Sequence, residues 1–139
     1  IMVYTIDKLH LGQKASFEKT ITEADVLIFS GISGDINSVH INEEAAKKSI
    51  FKKRVAHGVL VSSLTSAVLG MKLPGEGTIY LRQENNFRKP VFIGDTVKAT
   101  CEVVDINKEK NIVKLSTITT NQNDEVVIEG IAVVMAPKS

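Results

Sequence analysis

Fourteen consecutive residues, Gly58 to Met71 (GVLVSSLTSAVLGM), carry no charge on any face, and this stretch limits the possible folds more than any other. A helix that is apolar or small all round belongs in the middle of a domain, not on its surface. At about 1.5 Å per residue it would run roughly 20 Å, the depth of a small domain. Leu73-Pro74-Gly75 stops it. The stretch from Ala56 to Met71 is 16 residues long, carries no charge and contains a histidine and three serines. It is too short and too polar to span a bilayer, so no membrane partner is expected.

The residues after Gly77 must cover that helix. Ile79, Leu81 and Phe87 fall on odd positions with Arg82, Glu84 and Asn86 between them, and Pro90 breaks the run. After the turn Ile93-Gly94-Asp95, Val97, Ala99, Cys101 and Val103 alternate with Lys98, Thr100 and Glu102, a clear period of two. Ile112 to Thr120 and Val126 to Met135 supply two more strands, with polar turns at Asn107 to Asn111 and Asn121 to Asp124. The expectation is an α+β chain: a buried helix followed by a meander of about four antiparallel strands, whose apolar face wraps the helix.

The N-terminal part reads as a strand, Ala15 to Ile21, and then a helix capped by Thr22 with Glu23 and Asp25 in its first turn. Gly31 and Gly34 loosen that helix. Gly34 to His40 reads as a loop, and Asn42 caps a short helix from Glu43 to Lys48. With 139 residues and no linker of Pro, Gly and Ser, residues 1–139 fit a single domain. The formal net charge is +1 and the charges interleave, which argues against a nucleic-acid partner. Lys52-Lys53-Arg54, the densest basic run, reads as a solvated loop, which would also suit a phosphate-rich ligand. Cys101 is the only cysteine, so no intramolecular disulfide forms; with no basic-then-apolar leader at the N-terminus, a cytoplasmic location is expected.

Asp35 and His40 are the strongest candidates for chemistry. They are five residues apart on a segment rich in turn formers. A bend there folds both side chains toward one point, whereas a straight strand would send them to opposite faces. A carboxylate and an imidazole converging on one water form an acid/base device near neutral pH. Gly58 opens the apolar helix, where backbone N–H groups lack a partner inside the helix. Such an N–H stabilises a developing oxyanion, and a missing Cβ lets a ligand approach; the glycine equally serves a tight turn. Ser62, Ser63 and Ser66 lack a nucleophile elbow and suit bonds back to the preceding turn. Asn37 suits a turn, and His57 suits a loop histidine bonded to backbone. Three scattered histidines and one cysteine lack metal-site spacing, so no metal is expected.

Gly34-Asp35-x-Asn37-x-x-His40, preceded by Ser30-Gly31-Ile32-Ser33, resembles the signature of the MaoC-like (R)-specific enoyl-CoA hydratases. Val55-Ala56-His57-Gly58 and Phe87-x-x-Pro90-Val91-x-x-Gly94-Asp95 match the same family in the same order. Ser38 replaces the proline the family usually has after the motif asparagine, which removes a stiffening element from the loop. The resemblance implies a hot-dog fold, a long central helix wrapped by a curved antiparallel sheet. It implies syn addition of water to a trans-2-enoyl-CoA thioester, giving the (R)-3-hydroxyacyl-CoA. It makes Asp35 and His40 the catalytic pair and Gly58 the oxyanion contact, and it places Ser66 near the catalytic water; Asn37, read from its own chemistry, is a candidate to orient the loop or the water. No cofactor is implied, because coenzyme A is part of the substrate. An edge strand that pairs with its own copy makes a homodimer or higher homo-oligomer the expectation. A hot-dog acyl-CoA thioesterase and a non-catalytic acyl-CoA-binding protein are the alternatives. The first needs a carboxylate aimed at the carbonyl carbon, and the second would normally bring an added DNA-binding segment.

Overall fold

The structure, a computed structural model, describes residues 3–138. Strand β1 (Lys14–Thr20) leads into helix α1 (Glu23–Ser33), followed by the single turns α2 (Ser38–Ile41) and α3 (Glu43–Lys47). Helices α4 (Gly58–Ser62) and α5 (Leu64–Met71) come next, and then strands β2 (Ile79–Phe87), β3 (Thr96–Asn107), β4 (Ile112–Thr120) and β5 (Val126–Met135). The five strands form one antiparallel sheet in the order β1-β3-β4-β5-β2. No helix among the described residues is long and apolar enough to cross a membrane.

The period of two in β3 and β4 builds much of the core. Val97, Ala99, Cys101 and Val103 on β3 are buried, as are Val113, Leu115, Thr117 and Thr119 on β4, while their alternating neighbours are partly or fully exposed. This apolar face receives Val61, Leu64, Val68 and Leu69 of the central helices, and α5 packs on β1 and β3. Burial also pushes the Cys101 thiol up to about 12.

Three sequence expectations are corrected. The central helix is not continuous. Ser63 N–H is shared between the carbonyls of Val59 and Leu60 (3.0 and 3.2 Å), its hydroxyl donates to Leu60 O, and Ser66 N–H reaches Ser63 O. The bonds to Leu60 O and Ser63 O are of the i→i+3 kind, and they tighten one turn and split the helix in two. Nor is it buried all round, since Val59 and Met71 are exposed. The strands are a meander only from β3 to β5; β2 pairs with β5 on the far edge. Pro90 and the turn at Ile93–Asp95 lengthen the β2–β3 connection, and Ile21 holds it through Ile21 N–H to Asp95 O (2.8 Å) and Gly94 N–H to Ile21 O (2.7 Å). Finally, His40 lies on a helical turn rather than a loop. Asn37 caps that turn by accepting from Val39 N–H at 3.2 Å.

Other signals are realised as read. Thr22 and Asp25 form a capping box at α1, and Gly34 ends that helix in the left-handed region at φ 80°. Asn42 caps α3 through Ala45 N–H.

Candidate active site

The left-handed Gly34 turns the chain out of α1, and Asp35 follows on a bend that its own side chain stabilises. Asp35 Oδ1 accepts from Asn37 N–H at 3.1 Å, and Asp35 N–H donates to Ser33 Oγ at 3.1 Å. That leaves Oδ2 to face the α2 turn, where His40 Nε2 lies 3.9 Å away. The gap is too long for a direct hydrogen bond and is the span across which one water touches both groups. The Asp35 side chain is half exposed, while that of His40 is almost covered.

His40 is held from the segment before α4. Its Nδ1 lies 2.7 Å from Val55 O, and because a carbonyl only accepts, Nδ1 carries the hydrogen. In the neutral ring Nε2 is therefore the bare, basic nitrogen, and it is the one aimed at Asp35. Arg54 Nε donates to His40 O at 2.8 Å, while its guanidinium also pairs with Glu23 of α1. Arg54 is largely buried, so the basic run Lys52-Lys53-Arg54 is not a uniformly solvated loop. Its next neighbours, Val55 and Ala56, are core residues and draw it inward.

A cleft of about 460 Å³ opens at this point, lined among others by Asn37, His40, Gly58 and Phe87. That is the size of a small-molecule site. The Phe87 ring lies against Gly58 so closely that a Cβ there would come within 2.8 Å of its edge. A side chain at position 58 would press on the ring, and its absence also leaves room for a ligand. As the first residue of α4, Gly58 has no carbonyl one turn earlier for its N–H. Asn37 spends its side-chain oxygen on the α2 cap; among the described residues its amide NH₂ has no protein partner.

Ser66 is not brought to Asp35 and His40 within one chain. It lines a second cleft of about 420 Å³ with Ser62, Ser63, Tyr80 and Gln83, between the central helices and β2. Ser62 and Ser63 donate to Val59 O and Leu60 O, bonds back to the preceding turn. Asp35, His40 and His57 lie near enough to one another to suggest a metal. The two imidazoles, however, are stacked, centroid to centroid at 3.9 Å with planes 27° apart. One nitrogen of each ring is also engaged by a backbone carbonyl, His40 Nδ1 by Val55 O and His57 Nε2 by Asp35 O, which is the arrangement of a packed pair.

An antiparallel sheet around a central helix defines a hot-dog domain, and here a carboxylate and an imidazole lie 3.9 Å apart beside the mouth of that helix. The MaoC like domain model matches residues 8–126. The chain is 45% identical to an (R)-specific enoyl-CoA hydratase of Rhodospirillum rubrum over 137 residues, covering 99% of this chain and 94% of that protein. It is 40% identical to the (R)-specific enoyl-CoA hydratase of Aeromonas caviae, covering 93% and 96% of the two chains. The unliganded R-hydratase PhaJ1 of Pseudomonas aeruginosa superposes with a TM-score of 0.94 at 40% identity, covering 99% of this chain and 88% of that one. The chain belongs to the MaoC-like family of (R)-specific enoyl-CoA hydratases.

Arg54 and His57 are the residues that sequence reading undervalued. The signal for both was their attachment to Val55-Ala56, an apolar pair that must be buried and takes its neighbours with it.

Proposed function

We infer that this protein is an (R)-specific enoyl-CoA hydratase, a hydro-lyase adding water to a trans-2-enoyl-CoA to give the (R)-3-hydroxyacyl-CoA. The observation that carries this is the 3.9 Å gap between Asp35 Oδ2 and the bare Nε2 of His40, beside the Gly58 cleft. Both groups accept hydrogen bonds, so a water between them gives its two hydrogens to the pair and turns an oxygen lone pair toward the substrate. As that oxygen attacks the β-carbon, one member of the pair takes a proton. Electron density moves onto the thioester oxygen, where the Gly58 N–H stabilises the enolate. The pair then returns a proton to the α-carbon. The net change is one H and one OH across the double bond, added to the same face, and the pair ends as it began. No cofactor is needed, since coenzyme A arrives with the substrate. The full-length relatives named as hydratases favour this over thioester hydrolysis or simple acyl-CoA binding.

The working form is proposed to be a homodimer. Val59, Met71, Ile79, Tyr80, Leu81 and Phe87 are exposed on the central helices and β2, and β2 is a sheet edge. Apolar surface beside an unpaired edge suits a second copy of the chain, which would also cover the Ser66 cleft. A cytoplasmic setting fits the single buried thiol.

The test is hydration of crotonyl-CoA, followed as loss of enoyl-thioester absorbance, with chiral analysis of the product. Asp35→Asn and His40→Gln are each expected to lose most activity while staying folded. Rates near wild type in both would remove the pair from the mechanism, and an (S) product would contradict the stereochemistry.

A further inference from the structure

His57 is one of the few buried polar side chains and takes no part in the steps above. Its ring touches both members of the acid/base pair by different means. Its Nε2 lies 3.0 Å from the backbone carbonyl of Asp35 and 3.2 Å from Ser30 Oγ. The carbonyl can only accept, so Nε2 bears the hydrogen and ties the Asp35 main chain to the start of α4. One face of the same ring is stacked on His40, and Phe29 of α1 meets it edge-on at 4.9 Å and 61°. His57 Nδ1 is buried without a partner. A phenylalanine would fill the same space without stranding a ring nitrogen. What histidine adds is therefore the Nε2–H contact to Asp35.

His40 is fixed at Nδ1 by Val55 and at its carbonyl by Arg54, but rotation about the ring's hydrogen bond needs a wall to stop it. The His57 face is that wall. Asp35, in turn, lies on a half-exposed bend where the family's usual proline is replaced by Ser38, so its main chain needs a latch. We propose that His57 is a positioning residue that sets the separation of Asp35 and His40, by hydrogen-bonding the backbone of one and stacking on the ring of the other. This rests on the assignment of Asp35 and His40 as the acid/base pair. It predicts an effect on turnover rather than on binding, because the width of the gap decides how well one water meets both groups.

Two variants separate the contacts. His57→Phe keeps a flat ring beside His40 and loses the donor to Asp35; His57→Gln keeps a donor and loses the ring. In the full-length protein, with folding checked by thermal melting, each is expected to lower kcat about 10- to 100-fold, the scale of a misplacement near 1 Å. KM for crotonyl-CoA is expected to stay within about threefold of wild type, the signature of lost turnover with binding kept. His57→Gln is the variant to read if the phenylalanine does not fold. Combined with His40→Gln, either change is expected to cost less than about twofold more, because residues acting as one unit are not additive. The proposal is overturned if kcat is unchanged, if kcat loss tracks KM, or if the loss is equally large in the His40→Gln background. If Asp35→Asn and His40→Gln themselves keep full activity, the acid/base assignment fails first, which is a different result from silent His57 variants beside inactive Asp35 and His40 variants.

Discussion

Replacing Gly58 by alanine tests the oxyanion assignment with little confusion from stability. The added Cβ would lie 2.8 and 2.9 Å from Cε1 and Cδ1 of Phe87. Carbon atoms in contact prefer about 3.5–4.0 Å, so the ring edge must retreat by about 0.7 Å or more. It has room to do so, since Phe87 borders the open cleft. Gly58 is in α4 and outside the left-handed region, so alanine takes its backbone conformation without strain. Relief of glycine's unfolded-state entropy, about 0.4–1 kcal/mol, then offsets much of the cost of moving the ring. The net change in stability is expected to stay within about 1 kcal/mol, a Tm shift of about 4 °C or less. Activity is expected to change far more. The thioester oxygen must come within about 2.7–3.1 Å of the Gly58 nitrogen, and both the methyl and the displaced ring now crowd that approach. Loss of one such donor costs about 2.7–4 kcal/mol, or about 10²- to 10³-fold in kcat. The assay is crotonyl-CoA hydration beside a thermal melt, repeated with Gly58→Ala/Phe87→Leu, where part of the rate is expected to return. A Gly58→Ala enzyme with normal Tm and kcat within about threefold of wild type would falsify the role given to this N–H.

The frame around the site is open to the same kind of test. Gly130→Ala is expected to be severely destabilising or insoluble: its Cβ would overlap the Glu84 carbonyl oxygen, so β2 and β5 cannot keep their pairing, and denaturant unfolding will show it. Burial works to raise the Asp25 carboxyl, but hydrogen bonds from Lys19 and Thr22 and the Lys19 charge outweigh it and hold the group below its ordinary 3.8. A lowered folded value means stability that is present above pH 3.8 and lost as the pH falls through the folded value. Asp25→Asn is therefore expected to cost about 0.3–1 kcal/mol at pH 7, the scale of a first-turn carboxylate at a helix N-terminus, with the gap to wild type closing in urea melts below that value. Cys101, fully buried and with its thiol pushed up to about 12, is expected to ignore a thiol reagent at about pH 8 until the protein unfolds. Prompt reaction of the folded protein with one equivalent would show that β3 opens far more readily than its packing indicates.

Local chemistry determined the parts of this molecule that depend on near neighbours. The period of two from Val97 to Val103 needs no partner to be recognised, and it named the buried face of β3 correctly. Thr22 with Asp25, Asn42 with Ala45 and the left-handed Gly34 are bonds closed within four residues, so the sequence carries them whole. The motif spacing also brought Asp35 and His40 close together, although His40 reaches that point from the helical turn α2 and not from a shared loop. What it could not carry is any relation across the chain. Strand β2 looked like the first step of a meander and instead pairs with β5, since its long connection through Pro90 is anchored by Ile21, far earlier in the chain. The central helix looked continuous and hidden, yet side-chain bonds at Ser63 divide it, and its covering sheet leaves one side open. Arg54 looked solvated and His57 looked incidental. Their weight comes from Glu23, Ser30, Asp35 and His40, residues that reach them only when α1 and α2 fold against the entrance to α4. Charge-free length, alternation and capping are properties of a chain; the 3.9 Å gap between a carboxylate and an imidazole is a property of its packing.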